Sequence, residues 1–201
     1  MNTNLLVITG PTATGKTALA AAVCVKLGGE VISADSRQVY RGMDIGTGKD
    51  YDDYVSGGVK VPYHLIDIAD PGYKYNVFEY QRDFIKVFND ITKRGRLPVL
   101  CGGTGLYIDA VISGYRMIEV NPDEELRKDL ESKTMEELKE ILGSYRSFHN
   151  VTDFDSKKRL IRAIEIEHHS GKRSSEETGF PTISPLIVGI SIDRELRRHR
   201  I

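Results

Sequence analysis

Eight residues near the start of the chain can act together chemically. Gly10-Pro11-Thr12-Ala13-Thr14-Gly15-Lys16-Thr17 fits G-x-x-x-x-G-K-[ST] at every fixed position. The glycines let backbone N–H groups turn inward around a polyphosphate, and the helix N-terminus adds partial positive charge. Lys16 adds a full charge, and the Thr17 hydroxyl is a ligand for Mg²⁺. The candidate polyphosphate-binding residues are therefore Gly10, Thr12, Ala13, Thr14, Gly15, Lys16 and Thr17. The context agrees. Leu5 to Thr9 is an apolar run of strand length, and Ala18 to Val23 is strong helix-forming sequence. A glycine-rich turn with no ligand is the bland alternative, and strand–loop–helix context argues against it. The motif specifies a diphosphate or triphosphate and leaves its fate open.

Two further stretches carry chemistry. Glu30 to Ala34 reads as a second strand and ends in Asp35-Ser36-Arg37-Gln38-Val39-Tyr40. Functional groups of open α/β sheets gather at the carboxyl ends of strands. Asp35 is placed there as a base or an indirect Mg²⁺ ligand, or else as an N-cap opening a short helix; both readings stand. Leu97 to Cys101 reads as another strand, followed by Gly102-Gly103-Thr104-Gly105-Leu106-Tyr107. An ordinary NTPase carries a metal-binding aspartate at the end of such a strand. Here the chain offers close backbone approach and a hydroxyl, which argues against a motor or switch NTPase.

The elements that must position these groups are an α/β core and a helical appendage. Tyr63 to Asp67, within Val61 to Ile68, reads as a third strand, and Asp50 to Lys60 as a loose surface excursion. His64 has no second His or Cys nearby and reads as a strand-end residue rather than a ligand. Asn76 caps a predicted helix from about Val77 to Lys93, whose Phe78, Phe84, Ile85, Val87, Phe88 and Ile91 form a core stripe. Beyond Gly114 the sequence becomes charged. Helices are predicted within Asn121 to Leu142 and over Ser156 to His169, closed by a turn from Ser170 to Ser175. Pro185 to Ile192 returns as a fifth strand, and Asp193 caps a helix over Arg194 to Ile201. The predicted domains are 1–116 with 178–201 as a P-loop NTPase-like parallel sheet flanked by helices, and 117–177 as a small helical insert.

Composition bounds the function. Forty per cent apolar and 28% charged residues are ordinary for a soluble domain, and a net charge of −1 predicts no general affinity for nucleic acid. Any such affinity must come from a local patch. Cys24 and Cys101 lie far apart in apolar segments and read as packed thiols. The N-terminus has no signal-peptide pattern, and no apolar run reaches transmembrane length.

Taken together, G-P-T-A-T-G-K-T, then D-S-R-Q-V-Y with G-M-D-I-G-T-G-K, then G-G-T-G-L-Y resemble the tRNA dimethylallyltransferase family. Asn121-Pro122, Leu126-Arg127, Arg159 to Glu165, Ser170-Gly171-Lys172 and Asp193 to Leu196 agree, so the resemblance covers essentially the whole chain. It implies transfer of a dimethylallyl group from its diphosphate to N6 of the adenine beside the anticodon of certain tRNAs. The polyphosphate is then a leaving group, with Mg²⁺ on Thr17. By the same resemblance Asp35 is the general base, and Ser36, Arg37 and Gln38 hold the flipped adenine and its neighbours. Thr104 lines the channel where the substrates meet, and Arg200 reaches back to the diphosphate. Arg127 and Arg159, Leu160, Ile161, Arg162 and Ala163 match tRNA contacts of the insert, whose alternative reading is a solvated basic helix face. The implied partners are a tRNA anticodon stem-loop and dimethylallyl diphosphate, with a cytoplasmic, monomeric enzyme and no membrane. The insert departs from the family in being shorter, with Val151 to Asp155 where a proline-bearing approach is common. The resemblance also implies further C-terminal helices beyond residue 201, so the sequence is expected to be a piece of a longer chain.

Two alternatives come from other classes. A P-loop small-molecule kinase accounts for Lys16, Thr17 and Asp35, but not for Gly102 to Tyr107 or the insert. A non-catalytic tRNA-binding module accounts for the insert, but not for an intact set of Lys16, Thr17, Asp35 and Thr104.

Overall fold

Leu5 and Val7 alternate with Leu6 and Ile8, and all four are buried. The strand they form, β1 (Leu5–Thr9), is therefore covered on both faces, as parallel strands between helices are. In the computed structural model, which describes residues 3–115, 117, 119–145, 155–170, 180–193, 195 and 198, this strand anchors a P-loop NTPase-like sheet. Its partners are β2 (Gly29–Ser33), β5 (Tyr63–His64), β6 (Leu97–Gly102) and β7 (Pro185–Gly189). The order is β5-β2-β6-β1-β7 and every pairing is parallel. One face packs on α1 (Lys16–Leu27) through the small buried residues Ala20, Ala21 and Cys24. The other face packs on α2 (Val77–Lys93) and α3 (Gly105–Ile112).

Local chemistry explains the main helix boundaries. Gly28 ends α1 in the left-handed region at φ 69°, which glycine adopts without a Cβ penalty. Asn76 opens α2 with a reciprocal capping box: Glu79 N–H donates to Asn76 Oδ1, and Asn76 N–H donates to Glu79 Oε2, both at 3.1 Å. Phe84, Phe88 and Ile91 are buried, so the aromatic stripe is core.

Two expectations are corrected. The predicted third strand shortens to Tyr63–His64, because Leu65 (φ 61°) and Asp67 (φ 55°) take left-handed backbone. From Asp67 onward the chain turns to the segment after β2. Asp67 N–H donates to the Gln38 carbonyl, and Ile68 and Ala69 N–H donate to the Val39 carbonyl. The predicted loose excursion at 50–60 is instead structured. It holds a 3₁₀ turn at Asp52–Tyr54 and a hairpin of β3 (Val55–Ser56) and β4 (Val59–Lys60). Tyr54 explains this order: its ring is 3% exposed and lies 4.5 Å from that of Tyr63.

The chain divides into two units, one of Met1–Tyr115 with Phe180–Ile201 and one of Arg116–Gly179. The second unit contains α4 (Glu124–Glu131), α5 (Met135–Tyr145) and α6 (Lys157–Ser170). Its core is Leu130, Leu138, Leu142, Leu160, Ile161, Ala163 and Ile164. The predicted turn after Ser170, most of Val151 to Asp155, and Arg200 lie outside the described residues.

Candidate functional site

Three turns leave the carboxyl ends of the adjacent strands β1, β6 and β2, with the β6 turn in the middle. The first is the phosphate loop. Gly10 (φ 149°) and Gly15 (φ 76°) take backbone that side chains disfavour, and a Cβ on Gly10 would sit 2.4 Å from the Ile190 carbonyl oxygen. Ala13 adopts φ 64°, completing the inward turn. Lys16 Nζ donates to the Pro11 carbonyl at 2.5 Å and approaches Thr14 Oγ1 at 3.5 Å, so the ammonium lies across the loop's own concavity. Burial pushes the Lys16 pKa below its ordinary value, partly countered by Cys101 and Asp35. Thr17 opens α1 with Lys16. Thr12 is exposed.

The second and third turns are joined. Thr104 N–H donates to the Ala34 carbonyl at 3.0 Å, and Ser36 N–H donates to Thr104 Oγ1 at 3.0 Å. The Thr104 hydroxyl also lies 3.3 Å from Ser36 Oγ. Gly102 permits this approach, since a Cβ there would fall 2.3 Å from the Ala34 carbonyl oxygen. The glycine at the end of β6 is thus a steric requirement of the site as well as a missing metal ligand. The close backbone approach expected of this turn thus has a named partner, Ala34, which lies 68 residues earlier and was not legible in the sequence.

Asp35 Oδ1 accepts the Arg37 N–H at 2.9 Å, and turns follow rather than a helix. The capping alternative therefore reduces to a side-chain-braced turn. Arg37 is exposed. Gln38 is buried, accepting from Ser33 Oγ at 2.8 Å and donating to the Gly48 carbonyl at 2.9 Å. Beneath this turn Tyr80 donates to the Ser33 carbonyl and stacks on Tyr107 at 3.9 Å between ring centroids.

Lys49 was not a candidate from sequence. Its side chain is fully buried and bonds the Tyr40 carbonyl and Asp67 at 2.5 Å each, with Asp44 at 3.3 Å. Burial acts to raise the Asp67 pKa, but Lys49 and the Tyr51 hydroxyl outweigh it and hold the carboxyl low. His64, on β5 beside β2, bonds Glu30 at 2.7 Å and is accounted for structurally. Cys24 and Cys101 are free, buried thiols, each pushed up to about 12 by burial. Among the described residues no group of three His, Cys, Asp or Glu side chains could hold a metal. No helix there is long and apolar enough to cross a membrane.

The helical unit distributes its expected contacts unevenly. Leu160, Ile161 and Ala163 face the unit's own core. Arg127 grips the fully buried Glu165 at 2.8 and 2.9 Å, and Arg162 bonds the same carboxylate at 2.5 Å and the Val120 carbonyl at 2.9 Å. Burial acts to raise the Glu165 pKa, but these contacts and the Asp123 N–H hold it below the usual carboxylate range. Arg159 is exposed and, among the described residues, pairs with exposed Asp155 at 2.9 Å.

A phosphate loop at β1, an acid-bearing turn at β2 and a hydroxyl-bearing glycine turn between them define a P-loop class of protein. Its polyphosphate would lie beside a carboxylate rather than beside a strand-borne metal ligand. Within that class, the chain belongs to the IPP transferase family, whose model matches residues 38–201, and an isopentenyl transferase model matches residues 3–65. It is 60% identical over 198 residues to tRNA dimethylallyltransferase 2 of Bacteroides fragilis, covering 98% of this chain and 65% of that protein. It is 57% identical to tRNA dimethylallyltransferase 1 of Parabacteroides distasonis, covering 98% and 64%. Among solved structures it is similar to the tRNA isopentenylpyrophosphate transferase of Bacillus halodurans, at TM-score 0.62 and 36% identity, over 99% of this chain and 63% of that one. A eukaryotic dimethylallyltransferase acting on tRNA shares the fold at TM-score 0.64 and 19% identity, over 94% of this chain and 48% of that one. The chain thus spans about 65% of the length of the curated relatives it matches. These matches lend the kinase alternative no support.

Proposed function

We propose that the chain carries the catalytic part of a tRNA dimethylallyltransferase, moving a dimethylallyl group from its diphosphate to N6 of the adenine 3′-adjacent to the anticodon. The carrying observation is the junction of Ser36 and Thr104 beside the Lys16 loop, which supports an acceptor and a leaving group meeting over β6. The backbone of Gly10 to Thr17 and the Lys16 ammonium bind pyrophosphate and stabilise the charge it gains as the allylic C–O bond breaks. The bond pair leaves with pyrophosphate, N6 bonds to the allylic carbon, and the N6 proton passes to Asp35. An adenine amine is barely basic, so proton removal accompanies attack. Asp35 Oδ1 already accepts Arg37 N–H, which fixes the carboxylate for that transfer.

A Mg²⁺ ion fits the donor set. Mg²⁺ prefers hard oxygens, keeps several waters and needs few protein ligands, which Thr17 and the substrate phosphates satisfy. When bound it would neutralise charge on the departing pyrophosphate. In the helical unit we assign tRNA phosphate contact to Arg159, whose exposed pair with Asp155 is weak enough to exchange for phosphate. Arg127, Leu160, Ile161, Arg162 and Ala163 support that surface from within. A tRNA substrate implies action in the cytoplasm, and we propose a monomer.

The test is incubation with radiolabelled dimethylallyl diphosphate and an unmodified anticodon stem-loop. Label should appear in RNA and fall roughly 10²–10⁴-fold in Asp35→Asn with diphosphate binding retained. Phosphoryl transfer from ATP to a small molecule, with no label in RNA, would overturn the proposal.

A further inference from the structure

The loop Arg41 to Lys49, which follows the acceptor segment directly, carries an exposed apolar side chain at its tip. Ile45 is 100% exposed, and Met43 beside it is 45% exposed. The loop is nevertheless tightly built. Gly42, Gly46 and Gly48 take left-handed backbone at φ 66°, 75° and 70°. Thr47 Oγ1 donates to the Met43 carbonyl at 2.6 Å and reaches that of Asp44 at 3.2 Å, closing the tip on itself. At its base Gln38 bonds the Gly48 carbonyl, and buried Lys49 bonds the Tyr40 carbonyl, Asp44 and Asp67. The tip closes through Thr47 and backbone carbonyls, so the Ile45 and Met43 side chains together form an exposed apolar tip that the loop's own hydrogen bonds do not use.

Its position suggests what covers it. The tip is continuous with Asp35 to Tyr40 through the Gln38–Gly48 and Lys49–Tyr40 bonds. A base entering a pocket at Asp35 must leave its stack, which exposes a face of each neighbouring base at a cost of a few kcal/mol. Apolar side chains recover such a cost by packing against the unstacked bases. Resting on the acceptor reading above, we propose that Ile45, flanked by Met43, is an RNA wedge that packs on a nucleobase adjacent to the acceptor adenine. The exposed guanidinium of Arg37 stands on the same segment, where backbone phosphate would follow.

The test is a double-mutant cycle between protein and RNA. Wild type and Ile45→Ala are titrated with an anticodon stem-loop carrying the acceptor adenine, and with the same RNAs made abasic at each nucleotide flanking it. Because burying an isoleucine is comparable to a tenfold change in affinity, Ile45→Ala should bind the intact RNA about tenfold more weakly. The difference should disappear with one of the abasic RNAs, and Ile45→Leu should restore binding. Pyrophosphate affinity should be the same in all three proteins, since Ile45 is fully exposed and lies outside the phosphate loop. Equal binding of intact RNA by wild type and Ile45→Ala overturns the wedge alone, as would a tip covered by another part of the protein. So does a tenfold loss that persists with both abasic RNAs. Failure of wild type to bind the stem-loop overturns the acceptor reading and the wedge with it.

Discussion

Replacing Gly102 with alanine tests the assembly of the site without reference to its substrates. The added Cβ would lie 2.3 Å from the Ala34 carbonyl oxygen, 2.4 Å from its carbon and 2.8 Å from Cα. All three are backbone atoms, so no side chain can rotate away. Reaching ordinary contact requires the end of β6 and the start of the acceptor turn to part by about 1 Å. That displacement strikes the Thr104–Ala34 and Ser36–Thr104 hydrogen bonds, both at 3.0 Å. Overpacking typically costs about 1–3 kcal/mol and each bond about 1 kcal/mol, so a loss near ~3 kcal/mol is expected. For a chain of this size that is a fall in melting temperature of roughly 6–12 °C. Gly103→Ala is the control, because its Cβ would stand at 3.4 Å from the Gly10 carbonyl oxygen, an ordinary contact. It should stay within about 0.5 kcal/mol of wild type. Thermal melts measure both, and hydrogen exchange should show the Ser36 and Thr104 amides opening faster only in Gly102→Ala. A Gly102→Ala melt within about 2 °C of wild type would refute the reasoning.

Other outcomes follow from the charges. Because burial depresses the Lys16 pKa, pyrophosphate affinity should fall as pH rises through a value below 10.5, measured by calorimetric titration. Lys16→Met should weaken binding by ~1.5–3 kcal/mol and abolish that pH step; superimposable profiles would show that Lys16 does not touch the ligand. Glu165→Gln should remove about 1–3 kcal/mol from the helical unit, discounted because the Arg127 and Arg162 side chains remain 32% and 40% exposed. The folded Glu165 pKa is lowered, so its stabilisation is present above the unfolded value of 4.5 and is lost as pH falls through the folded one. Exchange of the α4 and α6 amides should therefore differ between wild type and Glu165→Gln at neutral pH and converge in acid; an equal difference at both would assign the effect to shape rather than charge.

What was legible in the sequence was local. The phosphate loop and the Asn76 cap each complete their geometry within a few residues, so residue type and spacing suffice to read them. What was missed depends on partners far along the chain. Lys49 meets Asp67 across 18 residues, and that meeting accompanies the left-handed backbone at Leu65 and Asp67 that cuts the third strand short. Tyr54 was hidden among polar neighbours, yet its burial against Tyr63 orders the whole excursion.

Arginine shows the same limit from the functional side. The family resemblance implied tRNA contact at Arg127 and at Arg159 to Ala163, against the alternative of a solvated basic helix face. The structure divides that run by what each guanidinium meets. Two of the three arginines close on one buried carboxylate, where removing either would leave Glu165 charged and under-paired in the core of the unit. Among the described residues Arg159 has an exposed partner, Asp155, which suits the phosphate contact proposed for it. Sequence gives the charge of a face, but the decision between bracing the fold and meeting a ligand lies with Glu165, a single acid at one turn's spacing from Arg162 and 38 residues from Arg127. An acid at i+3 from a basic residue within an otherwise cationic run is the signal that separates the two roles, because it can draw the guanidinium inward before any RNA is present.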